Sequence, residues 1–258
     1  MVDGRSEEIP AATLVVFRKG AAGCPPELLM VVRSRALAFA GGAAVFPGGR
    51  VDPADRALAE GLAPLAIDPD DAAHRLAAIR ETLEETGLAV GLCGNIDARR
   101  AAEARLLVLE QGSLGPALDR FSWSIDFDAL VPFARWLPRG MQHERIFDAR
   151  FYLADLGTGA VDIAVDATEN TRLFWTTAES ALRMAERGDI SLIFPTRRNL
   201  ERLATFPDFS AARQQAAAVP TRTIIPEVIN DGGERWLTIP DDLGYPVTRE
   251  RLDSAIRG

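Results

Sequence analysis

The chain has 258 residues, of which 47% are hydrophobic and 26% charged, and its formal net charge is −8. This length and composition suit one enlarged globular domain, and the negative charge argues against a nonspecific nucleic-acid surface, which needs a basic face. The sequence has neither an apolar run of the roughly 20 residues that a membrane helix needs nor a signal-peptide charge pattern, so we expect no membrane anchor and a cytoplasmic protein.

The two cysteines, Cys24 and Cys93, do not form a Cys-x-x-Cys pair. Their small number fits a reducing compartment and argues against a disulfide framework. We expect each of them to be a small buried residue.

The first predicted elements are two strands and a turn. Residues 12–18 and 28–33 are apolar and β-branched, and the glycines and prolines between them predict a hairpin. A glycine-rich turn, Phe46-Pro47-Gly48-Gly49, follows. Paired glycines permit positive φ and close approach of the backbone to a ligand, although such a turn alone usually just ends a strand.

A long helix is predicted after an Ala- and Leu-rich stretch, residues 56–67, which favours an added loop or short helix. Asp68 is expected to be the N-cap of the long helix, with Pro69 in the first helical position and Gly87 at its end. One apolar stripe of this helix should face the core: Leu76, Ile79 and Leu83.

Three carboxylates lie near the end of the long helix at offsets 0, +3 and +4: Glu81, Glu84 and Glu85. Neighbours at these offsets have Cβ atoms about 5–6 Å apart, so the charges form one patch. In a cleft each pair would repel by roughly 3 kcal/mol, which favours a bound divalent cation, whereas an exposed pair costs only about 0.2–0.5 kcal/mol. The triplet alone leaves a metal site and a solvated acidic face equally open.

Oxygen ligands favour Mg²⁺ or Mn²⁺ over zinc. The only histidines, His74 and His143, do not have the spacing of a metal-binding pair.

The remainder of the chain predicts further helices and strands. The predicted elements are a helix over 99–110, a loop over 112–123, strands over 130–136 and 146–154, a helix from a Thr176 to Glu179 capping box to Gly188, a helix over 196–204, a hairpin over 223–239 and a helix from Thr248. The aromatic pairs Phe151-Tyr152 and Phe174-Trp175 are expected mainly in the core. The pattern predicts that residues 1–220 form one α/β domain with a single sheet between helices. Residues 221–258 are predicted to form an appendage of a hairpin and a helix.

The glycine turn and the acidic helix together resemble the box of the Nudix hydrolase superfamily. That pattern is Gly, five residues, Glu, seven residues, then Arg-Glu-x-x-Glu-Glu-x-Gly and an apolar residue. Its positions fall on Gly49, Asp55, Arg80, Glu81, Glu84, Glu85, Gly87 and Leu88. The box therefore spans residues 49–88, with Asp55 at the first acidic position and an insertion of 17 residues at about 56–72.

Two further segments are similar to one branch of the superfamily. Residues 29–34, ending in Arg33-Ser34, precede the glycine turn as a related motif does in coenzyme A diphosphatases. The long insertion and the segment Phe194-Pro195-Thr196-Arg197 resemble the peroxisomal acyl-CoA diphosphatases and their bacterial relatives.

The resemblance implies a Nudix-type α/β/α sandwich with a mixed sheet. It implies that Glu81, Glu84 and Glu85 bind Mg²⁺ or Mn²⁺, that Glu84 or Glu85 is also the general base, and that Arg80 orients the carboxylates, pairing with Asp55 or Glu84. The substrate-binding residues would be Arg33, Gly48, Gly49 and Glu169, the last on a loop where relatives place an additional carboxylate.

The implied reaction is metal-dependent hydrolysis of a diphosphate linkage, in coenzyme A, acyl-CoA or a related nucleoside diphosphate derivative. An ADP-ribose or nucleotide-sugar pyrophosphatase is the nearest alternative, and a non-catalytic nucleotide-sensing regulator is an alternative of another class. The expected partner is a small diphosphate substrate rather than nucleic acid, and because Nudix relatives commonly pair, a homodimer is open.

Overall fold

The structure is a computed structural model, which describes residues 7–34, 41–139, 145–157 and 170–255. In chain order its strands are β1 (Glu7–Arg18), β2 (Glu27–Arg33), β3 (Ala44–Val45), β4 (Gly48–Arg50), β5 (Leu92–Cys93), β6 (Ser124–Ile125), β7 (Val131–Trp136), β8 (Arg145–Asp155), β9 (Asn170–Thr176), β10 (Thr223–Ile224), β11 (Glu227–Asp231), β12 (Glu234–Thr238) and β13 (Arg249–Arg251). The α-helices are α1 (Pro53–Leu62), α2 (Pro69–Thr86), α3 (Ala98–Gln111), α4 (Gly115–Phe121), α5 (Ala178–Glu186), α6 (Phe194–Leu203), α7 (Phe209–Ala218) and α8 (Leu252–Ala255).

The main sheet is mixed and places the glycine turn at its centre. Its strands follow the order β10-β7-β8-β1-β2-β3, with β9 on the outer side of β2 and β4 beside β1. Strands β1 and β8 are parallel, whereas β1 and β2 form the predicted antiparallel hairpin. Beyond the first pairs of that hairpin, β2 pairs with β3 and β1 pairs with β4. The glycine turn therefore enters the sheet where β1 and β2 diverge.

Helices cover both faces of this sheet, as the predicted α/β/α sandwich requires. Alternate residues of β1 face opposite sides, because side chains alternate along a strand. Leu14 and Val16 pack in a core with α1 to α4, whereas Val15 and Phe17 pack in a second core with α5 to α7 and the carboxy-terminal segment. The predicted fold class is confirmed.

Helix α2 forms as its local sequence predicts. The Asp68 carboxylate accepts hydrogen bonds from the backbone N–H groups of Asp70 and Asp71, and Gly87 ends the helix with a left-handed φ of 78°. The three residues of the apolar stripe are fully buried. Tyr152 of β8 donates a hydrogen bond to Asp71 (2.7 Å), so the start of the helix is fixed to the sheet.

Several sequence-based predictions are wrong. A loop was expected over 112–123, but α4 lies there, with Pro116 in its first turn. The N-cap of α5 is Thr177, whose hydroxyl accepts from Ser180, while Thr176 ends β9. The final helix, predicted from Thr248, begins only at Leu252 as α8, because residues 249–251 pair with β12 and form β13. Cys24 and Cys93 are both exposed rather than buried.

The carboxy-terminal segment contains the predicted hairpin. Strands β11 and β12 pair across a turn in which Gly232 and Gly233 have φ of 61° and 84°, which favour glycine. Leu237 and Leu252 are buried in the second core. The division of the chain at residue 220 stays a prediction. No helix within the described ranges is long and apolar enough to cross a membrane.

Candidate active site

Arg80, in the second half of α2, is at the centre of the candidate site. Its Nε and Nη2 donate to the two carboxylate oxygens of Asp55 at 3.0 and 2.9 Å. Nη2 also donates to the carbonyl of Arg50 at 2.9 Å. Nη1 donates to Glu81 at 2.9 Å and to Glu84 at 3.3 Å. The predicted contacts of Arg80 with Asp55 and Glu84 are confirmed, and the guanidinium fork is saturated with acceptors.

Helix α1 brings Asp55 to Arg80. This helix begins at Pro53, before the insertion, so Asp55 lies in its first turn and is only 1% exposed. The Asp55 carboxylate also accepts from the backbone N–H of Asp52 at 2.9 Å, as the third helical residue does in a capping box. Two donors on Arg80 and one at the helix start therefore stabilise a buried carboxylate.

The carboxylates of this cluster outnumber its one guanidinium. Burial, with the charges of Glu85 and Glu84, raises the pKa of Glu81 to about 8, although Arg80 opposes that shift. Burial also raises the pKa of Glu84, an effect that Arg80 opposes and Asp55 reinforces. A divalent cation would relieve this repulsion without requiring protonation.

The glycine turn lies directly against these glutamates. The backbone N–H of Gly48 donates to Glu85 at 3.1 Å. A Cβ at Gly49 would lie 2.3 Å from the Glu81 carboxylate, and one at Gly48 would lie 2.3 Å from the carbonyl oxygen of Ala12. Only glycine therefore lets the turn approach both the helix and β1 this closely.

The end of α2 has a positive partner that the sequence did not reveal. Arg105 of α3 donates from Nε to the carbonyl of Glu84 at 2.8 Å, and from Nη2 to that of Glu85 at 3.5 Å. A cation at a helix carboxy terminus offsets the negative end of the dipole. Arg105 is 21 positions from Glu84 and 20 from Glu85 along the chain, so only the packing of α3 against α2 brings its side chain to the end of α2.

The donor set fits a hard divalent cation, because it consists of carboxylate oxygens with excess negative charge. Within the described ranges, however, no three His, Cys, Asp or Glu side chains are grouped as a ready-made set of ligands. Glu81 and Glu84 instead contact Arg80, and Glu85 contacts the Gly48 amide. Cation binding would therefore exchange some of these contacts for contacts with the ion.

The other predicted site residues are placed differently. Arg33 ends β2, on the strand next to β3, and its Nε is buried without a hydrogen-bond partner within the described part of the chain. Glu169 and His143 lie outside the described residues. His74 is buried with its Nδ1 2.6 Å from the carbonyl of Asp70, which suits a structural role.

The chain is similar to known proteins in sequence and in structure. No protein-family model matches the chain. The chain is 27% identical to an acyl-coenzyme A diphosphatase of Gallus gallus, and the alignment covers 84% of the chain and 68% of that protein. It is 28% identical to a Nudix hydrolase from Alicyclobacillus acidocaldarius, whose crystal structure matches over 81% of this chain and 96% of that chain with a TM-score of 0.69.

Proposed function

Because the chain belongs to the Nudix hydrolase superfamily and resembles its acyl-CoA diphosphatase branch, we propose that it hydrolyses the diphosphate linkage of coenzyme A or acyl-CoA. The observation that carries this proposal is the Arg80 cluster, in which one saturated guanidinium contacts Asp55, Glu81 and Glu84 while the N–H of Gly48 in the glycine turn contacts Glu85. The likeness to the diphosphatase of Gallus gallus supports the substrate class.

Each residue of the cluster has a proposed role. Glu81, Glu84 and Glu85 would hold Mg²⁺ or Mn²⁺, which supplies charge neutralisation of the diphosphate when bound. Arg80 keeps Glu81 and Glu84 oriented, since a planar guanidinium fixes carboxylate direction.

Gly48 and Gly49 would contact a substrate phosphate through backbone atoms, beside the Glu81 carboxylate that packs against Gly49. Arg33 would contact a substrate phosphate, and Glu169 would supply an additional substrate-binding carboxylate.

The proposed reaction is a displacement at phosphorus. The oxygen of a water molecule forms a bond to one phosphorus while the bond from that phosphorus to the bridging oxygen breaks. The water proton passes to Glu84 or Glu85, and the electron pair of the broken bond stays on the leaving phosphate. With coenzyme A the products are phosphopantetheine and an adenosine bisphosphate.

A substrate panel tests this proposal. Purified protein would be incubated with coenzyme A, an acyl-CoA, ADP-ribose and a nucleotide sugar, with Mg²⁺, with Mn²⁺ and with EDTA, and product masses would be measured. We expect phosphopantetheine and adenosine bisphosphate, and no product with EDTA. Faster cleavage of ADP-ribose or the nucleotide sugar would identify a pyrophosphatase of that class, and tight nucleotide binding without any product would identify a sensor. A cytoplasmic location, a homodimer and the absence of nucleic-acid binding stay predictions.

A further inference from the structure

Asn170, the first residue of β9, has an unusual combination of burial and missing partners. It is 1% exposed, and neither its Nδ2 nor its Oδ1 has a hydrogen-bond partner within the described ranges. A buried amide that makes no hydrogen bond costs about 1–3 kcal/mol, so such groups are rare without a function or a bound molecule.

The strand register places Asn170 opposite Arg33. The two residues are paired across β9 and β2, next to an irregularity that follows Val32. Directly paired residues of antiparallel strands have side chains on the same face of a sheet. Because side chains alternate along a strand, Leu29, Val31 and Arg33 of β2 lie on one face of the sheet. Leu29 packs in the core that contains α2. Asn170 and Arg33 therefore belong to the sheet face that α2 covers.

Two more donors without hydrogen-bond partners in the described ranges lie on the sheet face that α2 covers. Arg33 Nε and Trp175 Nε1 are buried without hydrogen-bond partners among the described residues. Trp175 pairs with Leu29, and Leu173 pairs with Val31 between the two ends. The face thus has polar atoms at both ends and apolar side chains between them, a pattern typical of small-molecule sites.

This face continues to the carboxylate cluster through the glycine turn. Val31 pairs with Val45 of β3, and Gly48, whose N–H binds Glu85, lies three residues further along the chain. Three residues span at most about 11 Å. Gly48 is therefore within about 11 Å of Val45, and Val31, which pairs with Val45, is two residues from Arg33, so the glutamates and Asn170 are within reach of one extended ligand.

We propose that Asn170 binds the part of the substrate beyond the diphosphate, through hydrogen bonds between its carboxamide and N–H donor and acceptor groups of the ligand. The Asn170 amide offers one acceptor and one donor group side by side, so it can pair with both groups on the edge of an adenine ring at once, or with either the C=O or the N–H of a trans secondary amide. Arg33 adds a donor beside it. Coenzyme A contains both chemistries, amides in its pantetheine arm and adenine in its nucleotide, and the inference rests on the proposed function in that respect.

The first test replaces Asn170 with Leu and Asn199 with Leu. Asn199 is also a fully buried asparagine, but its Oδ1 accepts from Trp136 at 3.3 Å and from Tyr245 at 2.8 Å in the second core. Asn170→Leu should raise KM for coenzyme A about tenfold while kcat stays within about twofold, since about one or two hydrogen bonds are lost. Asn199→Leu should lower Tm and leave KM unchanged.

Stability provides a readout that separates binding from a structural role. Replacing an unpartnered buried amide with an apolar group should leave the Tm of the ligand-free protein unchanged or raise it. A lower Tm for Asn170→Leu with unchanged KM would overturn the inference, because the amide would then have a structural partner.

Direct binding identifies the ligand group and separates this inference from the proposed function. Pantetheine and AMP would be titrated into wild type and Asn170→Leu and followed by ligand-observed NMR. Loss of pantetheine binding alone points to the amides, and loss of AMP binding alone points to adenine. Equal binding of both probes by the two proteins would overturn the inference, even if coenzyme A proves not to be the substrate. Absence of coenzyme A hydrolysis with a binding loss in Asn170→Leu would overturn only the proposed function.

Discussion

Two arginines of this molecule are equally buried, at 2% exposure each, yet their surroundings differ. Arg80 donates to Asp55, Glu81, Glu84 and a backbone carbonyl, so that its donors are saturated. Arg198 of α6 uses only Nη2, which donates to Glu201 at 2.8 Å and to Glu250 at 3.1 Å. Arg198 Nε and Nη1 have no partner in the described part of the chain.

The pKa values of the two arginines shift in opposite directions. Burial lowers the pKa of both guanidinium groups, but the carboxylates around Arg80 outweigh burial and raise its pKa overall. At Arg198 burial prevails over Glu201 and Glu250, and the pKa is lowered. A buried arginine is thus not itself a sign of catalysis. The excess of carboxylates around Arg80 is what suits a cation site, whereas the Arg198 cluster suits attachment of β13 to α6.

The largest expected difference between the clusters is in turnover. Glu84→Gln and Glu85→Gln should each lower kcat about a thousandfold, or about 4 kcal/mol, because each removes a negative ligand or the base while keeping side-chain size. Glu201→Gln makes the same change in the second cluster and should leave kcat within about twofold. Hydrolysis rates and circular dichroism spectra would be compared, and undiminished metal-dependent hydrolysis in both α2 variants would contradict the assignment.

The next difference concerns stability. Arg80→Met should lower the free energy of unfolding by about 3 kcal/mol or more, since it leaves Asp55 buried without its main partner. Arg198→Met should cost about 1 kcal/mol or less, because it also removes two unpartnered donors. Urea denaturation measures both values. If both substitutions lower the free energy of unfolding equally, the two arginines contribute equally to stability, and this comparison is contradicted.

A smaller effect is expected in the glycine turn. Gly49→Ala places a methyl group against the Glu81 carboxylate, which can move because it ends a flexible side chain. We expect an intact fold and a roughly tenfold lower kcat, about 1.4 kcal/mol, from the displaced glutamate. Gly61→Ala, where a Cβ meets nothing within 4 Å, is the matched control. Equal kcat for the two variants would remove Gly49 from the site.

The smallest expected effect is a pH dependence in the second cluster. Burial raises the pKa of Glu201 from 4.5 to about 7, a shift that Arg198 and Arg197 oppose and Glu250 reinforces. The folded state therefore binds the Glu201 proton more tightly than the unfolded state, so its contribution to stability is full below pH 4.5 and is lost as pH rises through 7. Relative to Glu201→Gln, wild type should lose on the order of 1 kcal/mol between pH 4.5 and 7.5, after screening by solvent. A constant difference in thermal stability over that range would contradict this.

Local sequence signals predicted the parts of the fold that local chemistry decides. The start of α2 follows from Asp68 and Pro69, its end follows from Gly87, and the β11–β12 turn follows from two glycines. Short elements were missed or misassigned. Helix α4 begins within a cluster of glycine, serine and proline that usually forms a loop, and β13 exists because β12 lies beside it.

The candidate site divides in the same way. The pairing of Arg80 with Asp55 could be predicted because these residues occupy the first acidic position and the arginine position of the box pattern, although they are 25 positions apart in this chain. The contacts of Arg105 with the end of α2 and the unpartnered amide of Asn170 depend on packing between distant segments. Neither residue lies in a recognisable motif, so the sequence carried no signal for it.

Binding of Mn²⁺ followed by electron paramagnetic resonance tests the central claim most directly, because it reads the cation site without a substrate. Wild type and Glu201→Gln should bind Mn²⁺ with similar affinity, and the combined Glu81→Gln, Glu84→Gln, Glu85→Gln variant should lose binding. Circular dichroism would verify that this variant is folded. Mn²⁺ binding as tight in the triple variant as in wild type would contradict a cation site at the Arg80 cluster.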